Sequence, residues 1–502
     1  MARVAPRSKR LISAVLGLAR LSLHHQSPSI STLSHNTPTI VRTLTTSNAQ
    51  AIHDVTKVGA ERAGLDKIPI HYVCGYVYCK VDDPSAVRRE LLSRFAPYTG
   101  IGGRVYMSSN GMNVQLSVPS GLLREVQDAL HTIGGGAFKG LRLFAMSPVD
   151  CVGDEMFTEL SVRIRPLLNE GLDKSFSDRL DKYMEVMNHL SPDRWHEELS
   201  KAVAAIEEWK TNGGKKGDAP PPPIILDVRN LYEYEVGGFR GAVPVVVDAF
   251  RHTFAELDRI LGLPPLQESD QATSTETPNP QHEEQSSAGA SSAETCTHKV
   301  SGNCGHTSAS HLAANQNPAL EEAMRLIPTP AEPVSQDRKM LLYCTGGIRC
   351  MKVGAYLVSR GFKDVNVLEG GVNAYAQYIE QKYSEPQERD AHSMYRGVNV
   401  MFDERRGMKV TSDVLARCHQ CGSPCDVTRN CSVHACDILL IQCDRCHEAY
   451  HGCCSKECTT KIGKEVKTEL LGADVPVIEH RPKEGRVRPR LVPLSRPVEG
   501  LI

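Results

Sequence analysis

Ten of the seventeen cysteines fall between Cys418 and Cys458, in a chain of 502 residues. That crowding constrains the segment more than any other feature. A disulfide framework usually spans a whole small secreted domain, whereas a local cluster built on Cys-x-x-Cys pairs reads as a metal site. Cys418-x-x-Cys421 and Cys443-x-x-Cys446 are separated by 21 residues. Two thiolates three apart can grip one ion from a tight turn, and two such pairs make a tetrahedral zinc site. A second set interleaves with the first: Cys431 and Cys436, then Cys453 or Cys454, and Cys458. Cys425, His434, His447 and His451 are spare ligand candidates. The expectation is a small module over 395–460 held by structural zinc; unmetallated thiols or disulfides are the alternative.

The rest of the chain is too long for a single core and predicts further domains. Residues 66–150 alternate strand and helix patterns. Ile68–Val81 is rich in β-branched and aromatic residues, and Asp83-Pro84-Ser85 opens a short helix over Ala86–Phe95. Gly103–Met107 and Met112–Val118 flank Asn110-Gly111, a strong hairpin signal. A helix over Gly121–Ile133 and a strand over Leu141–Ser147 complete a βαββαβ order, which predicts a ferredoxin-like domain. Residues 151–223 read as a connector that ends in the Gly-, Lys- and Pro-rich Lys210–Pro223, with a helix containing Trp195 and Leu199.

From 224 to 383 apolar strand candidates recur at Ile224–Leu226, Val243–Val247, Met340–Tyr343 and Val365–Leu368. Helical segments at Phe250–Leu261 and Cys350–Gly361 separate them. That alternation predicts an open α/β domain with a mainly parallel sheet and functional residues at the carboxyl ends of its strands. Between 266 and 317 the chain turns Ser-, Thr-, Gln- and Glu-rich, with almost no large apolar side chain. Such a segment cannot offset its ordering entropy and is expected to be a disordered insertion. Cys296, His298, Cys304 and His306 within it are read as incidental.

Cys344-Thr-Gly-Gly-Ile-Arg349 lies between the strand candidate and the helix. A thiol there meets backbone N–H groups of a Gly-rich loop and the positive end of a helix, and both favour the thiolate. Arg349 adds a fixed charge. Gly346 and Gly347 let the backbone curl so that Thr345, Gly346, Gly347 and Ile348 form an anion cradle. The bland alternative is a buried cysteine at a strand end. Cys350 has two possible roles, packing in the core beside Val353 and Leu357 or acting as a resolving thiol that attacks a persulfide on Cys344; packing, with its side chain turned away from Cys344, is the expectation.

Around that loop the chain resembles the rhodanese family. Asp227-Val-Arg-Asn-Leu-Tyr-Glu…Gly-Ala-Val-Pro244 is similar to the first rhodanese signature, and Leu368-Glu-Gly-Gly-Val372 to the last. The loop places four residues between Cys344 and Arg349, one fewer than in related phosphatases, which favours sulfur over phosphoryl chemistry. The resemblance implies that Cys344 takes sulfane sulfur from a donor as a persulfide, and that Asp227 and Arg229 orient the loop. It runs further. Arg104–Leu116, Cys344–Cys350, Val400–Arg406 and the Cys-rich tail are similar to bacterial oxygen-dependent tRNA uridine hydroxylases. That likeness implies a tRNA substrate, molecular oxygen as co-substrate and hydroxylation of the wobble uridine.

Three functions follow: an RNA-modifying oxidoreductase using Cys344, a sulfurtransferase, or a noncatalytic scaffold. The intact Cys344 and Arg349 count against the last. The N-terminal domain and the Cys-rich module favour the first. No nicotinamide or flavin fingerprint occurs. Formal net charge is −1, so any nucleic-acid surface must be a local basic patch. No apolar run is long enough to span a bilayer, and no membrane insertion is expected. Residues 461–502 read as a basic, largely disordered tail, with five Lys/Arg between His480 and Arg490. The first acidic residue is Asp54; before it stand Arg3, Arg7, Lys9, Arg10, Arg20 and Arg42 among many Ser and Thr. That composition over residues 1–50 predicts a transit peptide to a mitochondrion or chloroplast.

Overall fold

The computed structural model describes residues 69–146, 157–212, 221–264, 327 and 329–480, apart from short gaps at 158, 169–170, 173–175, 178, 403–405 and 437. The expected transit peptide, the 266–317 insertion and the basic run from residue 481 lie outside the described residues.

The N-terminal domain is the predicted ferredoxin-like sandwich with one strand more. β1 (Ile70–Tyr78) leads into helix Pro84–Phe95, whose Asp83 cap accepts from the N–H of Ser85 and Ala86. β2 (Gly102–Ser108) and β3 (Gly111–Pro119) form the hairpin, followed by helix Leu123–Gly136 and β4 (Arg142–Ala145). β5 (Leu160–Ile164) pairs in parallel with β2, giving the order β4-β1-β3-β2-β5. The alternation of β1 and β3 sets the faces. Val73 and Val77, with Met112, Val114 and Leu116, point into the core under the helices. Tyr72, Cys74 and Tyr76, with Asn113 and Gln115, occupy the other face.

The second domain is a five-stranded, wholly parallel sheet in the order β6-β11-β10-β7-β9. Its strands are β6 (Asn188–Leu190), β7 (Ile224–Asp227), β9 (Ala242–Pro244), β10 (Met340–Tyr343) and β11 (Val365–Leu368), with the short β8 (Gly237–Phe239) lying outside it. Consecutive residues of β7 and β10 enter opposite cores. Ile224, Leu226 and Leu342 pack with helices Thr253–Leu261 and Ile348–Ser359, while Ile225, Leu341 and Tyr343 pack with helices Pro192–Thr211 and Gly371–Lys382. Both faces are covered, as a parallel sheet requires.

The 151–223 stretch, read above as a connector, instead supplies elements to both neighbours. β5 joins the first sheet and β6 the second. Helix Pro192–Thr211 buries Trp195, Leu199 and Ile206 against the second. A three-residue strand carries too little pattern to be seen in sequence. The expected strand Val243–Val247 is also corrected. β9 ends at Pro244; Val245 still donates its N–H to the Asp227 carbonyl at 2.9 Å, and the chain then turns, with the Val247 N–H bonding back to the Val245 carbonyl.

C-terminally, β12 (Tyr395–Val400) pairs with β13 (Gly407–Lys409) on one side and with β8 on the other, so the third region is stitched to the second. β14 (Thr428–Asn430) and β15 (Leu439–Ile441) form a hairpin followed by helices Asp444–Ala449 and Lys456–Lys461. The reading of 461 onward as a disordered tail is corrected as far as residue 480. Ile478 is buried, donates its N–H to the Tyr450 hydroxyl at 3.0 Å, and accepts from the Lys456 N–H.

Candidate active site at the Cys344 loop

β10 ends at Tyr343 and the chain turns at once into the loop, so Cys344 sits at the carboxyl end of a central strand. Gly347 adopts φ 93°, a left-handed conformation that glycine takes without strain. Its N–H then points back and donates to Cys344 Sγ at 3.0 Å. The loop is held from below by the next motif. Val372 and Asn373 donate their N–H groups to the carbonyls of Cys344 and Thr345 at 2.9 and 3.0 Å. Gly371 makes this approach possible, because a Cβ there would lie 2.4 Å from the Cys344 carbonyl oxygen.

Cys344 is fully buried. Burial opposes its ionisation. The hydrogen bond from the Cys350 thiol, the charge of Arg349 and the N–H groups of Cys350 and Arg349 outweigh that cost and bring its pKa down to about 6. Cys344 is therefore mostly thiolate at neutral pH. Cys350 moves the other way. Burial and the adjacent Cys344 sulfur push its pKa well up, so it remains a thiol and a donor. This corrects the expectation that the two side chains turn apart. The helix beginning at Ile348 places Cys350 in its first turn, facing back over the loop.

That arrangement has a measurable consequence. Replacing the donor, Cys350→Ala, is expected to move the pH midpoint of Cys344 alkylation upward from about 6. At pH 7 alkylation should slow in step with the lost thiolate fraction. An unchanged midpoint would show that the Cys350 thiol does not hold the charge.

Arg349 does not face the sulfur alone. Its guanidinium makes a two-pronged contact with Glu233, Nη1 to Oε2 at 2.7 Å and Nη2 to Oε1 at 2.9 Å, and a third bond to Thr345 Oγ1 at 3.1 Å. Thr345 donates to the same carboxylate at 2.9 Å. Burial disfavours the charge on Glu233, but Arg349 outweighs it and holds the carboxyl below the usual range. Glu233 was given no role in the sequence reading. Its local signal is the capping box with Asn230 at the start of helix Leu231–Val236.

Asp227 and Arg229 lie deeper. They form a fully buried pair, Nη2 to Oδ2 at 2.6 Å, which extends to the Tyr395 hydroxyl and the Gly237 carbonyl. Tyr343 donates to Asp227 at 2.7 Å. Through that contact the pair reaches the residue before the nucleophile.

The face of β1 and β3 that is not core roofs this loop. A Cβ on Gly347 would meet the Tyr76 hydroxyl at 3.1 Å. Burial, then the nearby sulfurs of Cys344 and Cys350, push the Tyr76 phenol far above its ordinary range, so it stays protonated. Asn373 Nδ2 donates to Cys74 Sγ at 3.4 Å and its Oδ1 accepts from Asn399 at 2.7 Å. Between roof and loop is a chamber of about 50 Å³ lined by Tyr76, Asn113, Gln115, Gly346, Asn373 and Phe402, among others. Gly346 belongs to the expected cradle, and Asn113, Gln115 and Phe402 fall in segments quoted for the resemblance, but nothing in the sequence assigned Tyr76, Asn113, Gln115, Asn373 or Phe402 to this site.

In the third region two sulfur quartets form: Cys418, Cys421, Cys443 and Cys446; and Cys431, Cys436, Cys454 and Cys458. Within each, every sulfur lies within 4.8 Å of the others. Cys421 and Cys443 are 3.6 Å apart, and Cys454 is 3.7 Å from both Cys436 and Cys458. A tetrahedral ion with bonds of about 2.3 Å requires sulfur–sulfur edges of roughly 3.8 Å, so the donor sets fit such an ion. Of the paired alternatives, Cys454 rather than Cys453 joins the second quartet, and Cys425, His434, His447 and His451 join neither.

The domains match known families. Residues 70–167 match the UPF0176 acylphosphatase like domain, residues 303–378 the rhodanese-like domain and residues 396–459 the rhodanase C-terminal family. Among curated proteins, the chain is 28% identical over 390 residues to a tRNA uridine(34) hydroxylase of Cronobacter sakazakii, covering 77% of this chain and 81% of that protein. It is likewise 28% identical over 386 residues to proteins of that name from Escherichia coli O157:H7 and Shigella dysenteriae serotype 1, covering 76% of this chain and 79% of each.

Proposed function

We propose that this chain, which carries a rhodanese-like domain between an acylphosphatase-like domain and a rhodanase C-terminal region, hydroxylates the wobble uridine of tRNA with Cys344 as its reactive thiol. The enclosed thiolate carries the reading. Here Cys344 lies under side chains of a second domain, and three amides (Asn113, Gln115 and Asn373) line the space beside it. Amides offer both donors and acceptors, which suits the edge of a uracil. The names of the similar bacterial proteins support the same reaction.

In this reading Cys344 acts as nucleophile, Arg349 stabilises the negative charge on it, and Glu233 and Thr345 fix Arg349. Molecular oxygen is the co-substrate: one of its atoms enters the uracil ring and the other leaves as water, with two electrons and two protons drawn from an external reductant of the thiol class. A sulfane-sulfur donor can load the same thiolate as a persulfide. Among the described residues no helix is long and apolar enough to cross a membrane. We place the protein in an organelle, mitochondrion or chloroplast, on the composition of residues 1–50. The test is mass spectrometry of organellar tRNA nucleosides from cells with and without the protein. Loss of 5-hydroxyuridine-type nucleosides supports the reading; an unchanged nucleoside profile sinks it.

Each sulfur quartet would hold a structural zinc ion, and zinc there supplies folding free energy rather than chemistry. Purified protein is expected to contain about two zinc ions per chain, from one for each quartet. Chelation should unfold the 418–458 segment while leaving the two N-terminal domains folded. Metal-free protein with native protection of amide hydrogens across 418–458 would overturn this.

A further inference from the structure

A second, larger cavity lies in the C-terminal region. It measures about 620 Å³ and is lined by Arg406, Lys409, Arg429 and His447, by Thr428, Asn430 and Ser432, and by one carboxylate, Asp426. The chain as a whole carries a formal net charge of −1, so three permanent cations around one cleft are a local excess. Lys409 is 3.2 Å from Asp426, and Arg429 pairs with the highly exposed Asp444. Thr428, Asn430 and Ser432 add hydroxyl and amide groups that can hydrogen-bond phosphate and ribose oxygens, beside the apolar Val398 and Val427.

The position of the cleft matters more than its charge. The 50 Å³ chamber beside Cys344 is far too small for a whole nucleotide, so a ribose–phosphate backbone attached to a base there must run over another surface. β12 separates the two spaces. Val398 lines the cleft while its neighbour Asn399 reaches Asn373 at the chamber, as the alternation of a strand requires. Phe402 on the chamber and Arg406 on the cleft are four residues apart, which bounds their separation at about 14 Å. Both sulfur quartets frame the walls: Cys431 lines the cleft, and His447 follows Cys446.

We propose that this cleft binds the sugar–phosphate backbone of the RNA whose base enters at Cys344. The proposal rests on the RNA reading above. It assigns to Arg406, Lys409 and Arg429 the phosphate contacts that position the strand and carry no base preference.

The test uses the full, metal-replete chain and a labelled anticodon stem-loop with uridine at the wobble position. Binding is followed by fluorescence anisotropy across a salt series. Lys409→Glu and Arg429→Glu are each expected to weaken binding roughly fivefold or more near 0.15 M salt. Each should also reduce the slope of log affinity against log salt by about one. Lys201→Glu, on a helix that does not line the cleft, serves as the control for net charge. Metal content and circular dichroism check each variant. Should Arg429→Glu lose metal, Lys409→Glu decides alone, because its side chain is 62% exposed. If the wild type binds no stem-loop, the RNA reading falls and the cleft with it. If the wild type binds but the cleft variants match Lys201→Glu in affinity and slope, the cleft proposal alone is overturned.

Discussion

Cys344→Ser is expected to abolish tRNA hydroxylation, with a loss of at least about a thousandfold, while leaving the fold and RNA affinity in place. Serine is nearly isosteric and still accepts the Gly347 N–H, so the loop keeps its shape. What it loses is the anion. A hydroxyl does not ionise near neutral pH, whereas the thiol is brought down to about 6. Nucleophilic chemistry that splits one step into two fails when the nucleophile is removed. The measurement is the modified-nucleoside content of tRNA after reaction with purified wild type and variant. The same preparations, treated with thiosulfate, are examined for a one-sulfur mass gain on the Cys344 peptide. Hydroxylation within tenfold of wild type would remove Cys344 from the reaction.

Glu233→Gln is expected to destabilise the fold by about 3–5 kcal/mol, because it leaves the buried Arg349 charge without its counter-ion. Glutamine keeps the shape and one acceptor but not the charge. Glu233 partly neutralises Arg349, so its loss should hold the Cys344 pKa at or below about 6 wherever the loop stays folded. The expected signature is therefore a lower denaturation midpoint in the rhodanese-like domain with thiolate reactivity preserved in the native fraction. A loss under about 1 kcal/mol would show that Arg349 finds another partner or water.

The sequence exposed what was local. The Cys344–Arg349 loop, the Asn110-Gly111 hairpin and the Cys-x-x-Cys pairs are short patterns whose chemistry depends on neighbours in the chain. The parallel sheet was legible because β7, β10 and β11 are continuous apolar runs. What stayed hidden depends on distance. Glu233 and Arg349 are 116 residues apart, and nothing in either neighbourhood names the other. Tyr76, Asn113 and Gln115 sit on a strand face that looks like an ordinary solvent face until the second domain is placed against it. Cys350 packs in the core with Val353 and Leu357 as expected, but its contact with Cys344 was hidden because loop curvature, not spacing, decides where a first-turn side chain points. β5 and β6 were missed inside a presumed connector because each is too short to show a period and gains its stability only from the sheet it joins.

The interleaving of the two sulfur quartets sets an order of events for a chain made from its N-terminus. The first quartet is complete once Cys446 has emerged, yet at that moment the second has only Cys431 and Cys436, both already enclosed within the loop between Cys421 and Cys443. Its other half, Cys454 and Cys458, arrives last and must reach back across the closed first quartet. A chain ending anywhere from 447 to 453 is thus left with a finished clasp and a half-open one, whose two stray thiolates are free to seize the wrong ion or each other. Chains released by a premature stop in this seven-residue window should consequently aggregate more readily than chains ending just beyond Cys458.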